Sequence, residues 1–283
     1  MTPKKTPVLK PLRCKNTLAQ LARPCIVLDT VTEKLPFEGK QLSERSFVGG
    51  NPLLPADFVW PTAPFKPRGS DQVIEVPMVF YLQIDLADVA QFDLEHLLPD
   101  HGILAYFVLG MCTDFQNGPL QCAVRYFEDT SSLKEQLRPD PPEVDSENLT
   151  QGRLILPHLP LAAHASWSFV QAAEMLPPGA YEPILGNVED FAYELDDEDG
   201  IDIFSDEYTE RNSLLGFASY IFFTDAQQVN DVLLLEIGGL KDQEGKMIYP
   251  TSYGPDSIST IFIDQEDLKA RRFERARITD QEV

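Results

Sequence analysis

Apolar residues fall along this chain in short runs, and five of them have the length and the β-branched and aromatic content of strands. They are Pro77–Asp85 (PMVFYLQID), Gly102–Leu109 (GILAYFVL), Leu120–Phe127 (LQCAVRYF), Val232–Ile237 (VLLLEI) and Ser257–Ile263 (SISTIFI). Helix-sized patterns are fewer: Leu86–Leu97, Ser166–Leu176, Asp225–Asn230 and Gln265–Ala270. The last opens on Asp264 with Asp267 three residues on, close to a capping box. Proline punctuates the chain in clusters at 52–67, 139–142, 157–160 and 177–183, because it lacks an N–H and ends helices and central strands. The strands do not alternate with long crossover helices. The expected fold is therefore mainly β or α+β, with largely antiparallel sheets and a few short helices.

Two stretches are alike. FYLQIDL is followed by GILAYFVL, and LLLEIGGL is followed by SISTIFIDQEDL. Each is an apolar strand, a spacer and then a second, aromatic-bearing strand. This predicts a weak internal duplication of a two-strand unit.

Charge changes the picture more than composition does. The chain has 283 residues, 23 Lys plus Arg and 45 Asp plus Glu, a net charge of −22. Nucleic acid and anionic membrane both call for a basic surface, so neither is expected as a partner. With 43% hydrophobic residues, 17 Phe and 9 Tyr the chain is globular rather than a disordered acidic tail. No apolar run reaches the roughly 18 residues of a membrane span. Lys10 and Arg13 interrupt any signal-peptide core, so a cytoplasmic protein is expected. The four cysteines show no C-x-x-C spacing and read as buried thiols.

The charge is also segregated. Basic residues cluster at Lys4–Arg23 and Lys269–Arg277, and no Lys or Arg occurs from Leu154 to Glu210. Residues Glu189–Glu210 hold 11 acids in 22 positions, interleaved with Phe191, Tyr193, Leu195, Ile201, Ile203, Phe204 and Tyr208. That interleaving suggests short edge strands or a loop pinned by its apolar side. The basic C-terminal segment is expected to pair with the acidic body.

Three motif runs, SFVGGNPLLPADFVWP (46–61), PMVFYLQIDLADV (77–89) and LLPDHGILAYFV (97–108), resemble the first half of the YwqG-like (DUF1963) family of bacterial proteins of unknown function. Leu214–Phe217, Val232–Ile237 and Ser257–Phe273 are similar to the second half. Gly238–Gly239 stands where the family usually has Asp, and Tyr253-Gly254-Pro255-Asp256 where it has Trp-Gly-Asp. The resemblance implies one mostly β domain over residues 46–275, with two related halves of about 46–150 and 151–275. A basic N-terminal segment (1–45) would pack on the body, and residues 276–283 would form a tail. The resemblance carries no catalytic site. Members also occur at toxin-immunity loci.

Candidate chemistry is sparse. His158 and His164 are separated by Pro160 and cannot share a helix face, so no metal site is expected. Around Gly200 the EF-hand register fails, with Leu195 at the first position and Asp206 at the twelfth. There is no G-x-S-x-G, no Ser-x-x-Lys, no G-x-G-x-x-G and no Walker loop. Trp60 and Trp167 read as core aromatics. No cofactor and no enzymatic role are expected. The feature that stands out is the acidic segment, read as a docking face for a basic protein, with Asp196, Asp197, Glu198, Asp199, Asp202, Asp206 and Glu207 as charges and Tyr193, Phe204 and Tyr208 as anchors. The expected function is a non-enzymatic immunity protein that occludes a toxin's basic surface. The alternatives are an enzyme or small-molecule binder with a pocket between the halves, and a housekeeping scaffold or regulator.

Overall fold

A computed structural model describes residues 9–15, 17–31, 39–66, 71–109, 121–140, 156–169, 188–203, 211–218, 230–241, 244, 246–248 and 257–282. The first half of the chain contributes β1 (Arg23–Thr30), β2 (Lys40–Gln41), β3 (Phe47–Val48), β4 (Leu53–Leu54), β5 (Thr62–Phe65), β6 (Ile74–Pro77), β7 (Val79–Asp85), β8 (Ile103–Leu109), β9 (Gln121–Phe127) and β10 (Lys134–Glu135). The second half contributes β11 (Leu159–Ser168), β12 (Asn212–Leu214), β13 (Asp231–Ile237), β14 (Leu240–Lys241), β15 (Met247–Ile248), β16 (Ser257–Asp264) and β17 (Arg277–Glu282). Among the described residues three α-helices accompany them: α1 (Leu86–Val89), α2 (Val188–Asp199) and α3 (Gln265–Lys269).

Ten of these strands form one antiparallel path, β17-β16-β13-β12-β1-β11-β3-β7-β8-β9, and β2 adds beside β11. The two edge strands, β9 and β17, lie against one another. There Cys122 Sγ donates to the carbonyl of Ala276 at 3.6 Å, so the sheet nearly closes into a barrel. One face of the sheet fills the interior with Ile26, Leu28, Leu82, Ile84, Leu104, Leu159, Leu161, Leu214, Leu235 and Ile261. The other face of β7, β8 and β9 is covered from outside by Trp60, Phe58 and Met78, which pack on Phe80 and Phe107. Trp60 lies edge-on to Phe107, with ring centroids 5.2 Å apart, and donates its Nε1–H to the carbonyl of Met78. It is a core residue.

The strand path reads nearly the same from both ends, and side-chain details repeat with it. β7 carries a register shift between Phe80 and Leu82, and β13 carries one between Leu233 and Leu235. Gln83 lies opposite Ala105 as Glu236 lies opposite Thr260. Ser46 Oγ accepts the N–H of Asp85 at 3.0 Å, and Asn212 Oδ1 accepts that of Gly238 at 3.2 Å. After β3 the backbone turns through Gly49 and Gly50 at φ +65° and +67°, and after β12 through Leu215 and Gly216 at +65° and +79°. A side chain at Gly49 could not fit, since its Cβ would lie 2.3 Å from the Pro157 carbonyl oxygen. The duplication thus reaches beyond a two-strand unit to five strands in each half.

All five predicted strands are present, with ends within two residues of expectation. The helices differ. Only Leu86–Val89 of Leu86–Leu97 is helical, because Asp93 then turns the chain by accepting the N–H of Leu98 at 2.7 Å, one residue before Pro99. Ser166–Ser168 ends β11, where partners on β1 override a helical pattern, and the rest of Ser166–Leu176 lies outside the described residues except Phe169. Of Asp225–Asn230 only Asn230, in a turn, is described. Gln265–Lys269 is a helix, capped by Asp264 on the N–H groups of Glu266 and Asp267. Residues 277–282, read from sequence as part of a tail, pair along β16 from Ser257↔Glu282 to Phe262↔Arg277.

Candidate functional site

The first part of the acidic segment lies in a helix, α2 (Val188–Asp199), not in the edge strands or loop that its alternation suggests. The period decides this. Phe191 and Leu195 are four residues apart, and both are completely buried, while Tyr193 between them is 74% exposed. A strand would have placed all three on one face. A helix turns Phe191, Ala192 and Leu195 inward against Cys14, Leu18 and Phe169. The rings of Phe169 and Phe191 lie 5.8 Å apart.

Intrinsic preference does not hold this helix. Asp196, Asp197, Glu198 and Asp199 crowd its last turn with no basic residue there, against the negative end of the helix dipole. Asp190, Glu194 and Glu198 repeat at four-residue spacing, so like charges meet along one side. These effects cost about 0.3–1 kcal/mol each. Burial of Phe191 and Leu195 returns about 1.5–3 kcal/mol apiece and wins. Gly200 ends the helix at φ +69°, with its N–H on the carbonyl of Asp196. The residue that invited an EF-hand comparison is a helix stop.

Asp199 faces inward. Its carboxylate accepts the backbone N–H of Arg13 (2.9 Å) and of Cys14 (2.9 Å) and meets the Arg13 guanidinium at 3.4 Å. Burial pushes its pKa up, but those N–H groups and the Arg13 charge outweigh that and hold it below the usual carboxylate range. Lys10 is tied nearby through its carbonyl, which accepts the Trp167 Nε1–H at 3.0 Å. Arg13, Cys14 and Leu18 of the chain's own basic N-terminal segment therefore lie along one side of the acidic helix.

On the other side Asp190, Tyr193, Asp196, Asp197 and Glu198 are exposed, and Glu194, also exposed, accepts the Cys14 thiol at 4.0 Å. The structure therefore unites Tyr193, Asp196, Asp197 and Glu198 on an outward surface, and assigns Asp199 to an internal contact. Asp202 follows the helix and is exposed. Phe204, Asp206, Glu207 and Tyr208 lie outside the described residues. Sequence reasoning passed over Asp190 and Glu194 as contributors. Their four-residue spacing was the available signal, hidden by an assumed two-residue period.

Several other described charges are paired. Lys269 pairs with Glu266, Arg271 with Glu128, Arg272 and Arg275 with Asp267, and Arg277 with Asp231. The basic C-terminal segment thus meets the acidic body, as its charge suggests. Burial pushes the thiol of Cys122 up to about 12 and that of Cys25 upward, which makes both poor nucleophiles. His164 Nδ1 stands 3.7 Å from Asp29. Among the described residues no group of three His, Cys, Asp or Glu side chains is placed to hold a metal ion, and no helix is long and apolar enough to cross a membrane.

Two comparisons complete the picture. A family model described as a domain of unknown function, DUF1963, matches residues 46–281. No curated protein matches the chain.

Proposed function

The chain belongs to the DUF1963 family, for which no function is assigned, and from its geometry we propose that it is a non-enzymatic, cytoplasmic binding protein for a basic protein partner. The observation that carries this reading is the outward side of α2. It presents five carboxylates, Asp190, Glu194, Asp196, Asp197 and Glu198, around one exposed aromatic ring, Tyr193. Such a surface attracts a cationic surface over distance and raises association rates. An exposed tyrosine amid the charges supplies an apolar anchor of the kind that carries interface energy.

Its concrete form is an immunity protein that covers a toxin's basic substrate surface, as the resemblance to members at toxin-immunity loci implies.

The test uses the full chain as bait in cells of its source and recovers a basic protein by salt elution. Glu194→Lys, Asp196→Lys, Asp197→Lys and Glu198→Lys together should then slow association with that protein at least tenfold and flatten its salt dependence. Tyr193→Ala should speed dissociation. Unchanged rates and an unchanged salt slope in the charge-reversed variant would place the partner elsewhere.

A further inference from the structure

The two halves have exchanged their first strands. β1 comes from the first half of the chain, yet both of its neighbours, β11 and β12, come from the second. β11 comes from the second half, yet its neighbours β1, β3 and β2 come from the first. All eight residues of β1 pair with β11, from Arg23↔Ser168 to Thr30↔Leu161. Its centre pairs with β12 as well, through Ile26↔Leu214, Val27↔Ser213 and Leu28↔Asn212.

The slot that β1 occupies reads both sides of the segment. Ile26 and Leu28 point into the barrel core. Cys25 and Val27 point to the opposite face and are also buried. Removing β1 would open the sheet at its middle and leave the backbone donors and acceptors of β11 and β12 without their partners, a strand edge on each side. That is the arrangement in which an extended segment binds by strand addition, with main-chain hydrogen bonds giving affinity and alternating pockets giving selectivity. The occupant is also separable in sequence. The family match begins at residue 46, so the segment that completes the sheet lies before it.

We propose that the gap between β11 and β12 is a strand-binding site, filled in cis by Arg23–Thr30 and open to the same segment in trans from a second copy of this chain. Selection rests on apolar side chains at positions 26 and 28 together with small or β-branched ones at 25 and 27. This inference is independent of the acidic face on α2.

The experiment starts from the full chain with a specific protease site placed within residues 32–38. After cutting, the N-terminal piece should co-elute with the body on gel filtration. A fluorescent synthetic peptide of residues 22–31, added in excess during return from denaturant, should enter the cut protein, restore its native circular dichroism and co-elute with it. The same peptide carrying Ile26→Asp and Leu28→Asp should bind at least a hundredfold more weakly. The proposal is overturned if the cut piece washes away while the body keeps its native spectrum. Failure of the unmodified peptide to enter during refolding, or equal entry of the Asp-bearing one, would overturn it too.

Discussion

Arg271 stands where a helix end ordinarily calls for glycine. It occupies the left-handed region at φ +57° just after α3. Its N–H reaches the carbonyl of Leu268, and that of Arg272 reaches the carbonyl of Asp267, which is the Schellman pattern. A side chain in that region costs about 1–2 kcal/mol. The ion pair with Glu128 that it gains is exposed to solvent and offsets only part of that cost. Arg271→Gly should leave denaturation stability unchanged or raise it by up to about 1 kcal/mol, whereas Arg271→Ala, which keeps the strain and loses the pair, should lower it. Chemical denaturation of the two variants beside the parent measures the difference. Asp199 makes the second residue-scale prediction. Its folded-state pKa is depressed below its unfolded value, so its contribution is complete above the unfolded value near 3.9 and is lost as pH falls through the lower folded one. Asp199→Asn should melt below the parent at pH 7, and the gap should close in the acid range. A gap that stayed constant with pH would show that the ionised carboxylate is not what holds Arg13 and Cys14.

At the scale of elements, α2 shows tertiary packing overriding local preference. Its charges argue against a helix, and its two buried side chains decide for one. Leu195→Ala should therefore cost about 2–5 kcal/mol, while Tyr193→Ala should stay within about 0.5 kcal/mol of the parent. Comparable losses at both positions, measured by urea unfolding, would return the segment to the strand reading. The paired strands teach the converse. β7, β8, β13 and β16 carry enough apolar and β-branched residues to be read without neighbours. β1 and β11 were not read. Arg23–Thr30 opens on a charge and a proline, and Leu159–Ser168 is interrupted by Pro160, three alanines and His164. Both become strands because each lies between two others. The halves have also diverged at one position that the repeat makes visible. Gln83 accepts the Leu53 N–H and donates to the Arg45 carbonyl, both at normal distances, using both ends of an amide. Its counterpart Glu236 is equally buried, and Gly238 takes the place of Asp85, which meets Arg45 at 3.4 Å. The second half has moved its carboxylate two residues along the strand, to lie within electrostatic reach of Cys25, as Arg211 also does.

For the molecule as a whole, the charge of −22 sets a long-range term that short pairs do not cancel. The melting temperature should rise by several degrees as ionic strength goes from about 0.01 to 0.2 M, since the screening length falls from about 30 Å to under 8 Å. Calorimetry over that range tests it, and a fall with salt would mean that the local ion pairs dominate. The sequence by itself determined the mainly antiparallel β class, the strands whose own composition suffices, the repeat of Leu-Gln-Ile in Leu-Glu-Ile, and the concentration of acid between 189 and 210. All of these follow from local pattern, because a strand's alternation and a segment's charge are written in adjacent residues. Tertiary structure decided the rest. It made the first part of the acidic run, to Asp199, a helix with one buried and one exposed side, turned Asp199 inward to the N-terminal segment, and inserted β1 and β11 each into the other's half of the sheet. Those outcomes depend on which distant surfaces are present to bury a side chain or complete a ladder, and no short stretch of sequence records its eventual neighbour.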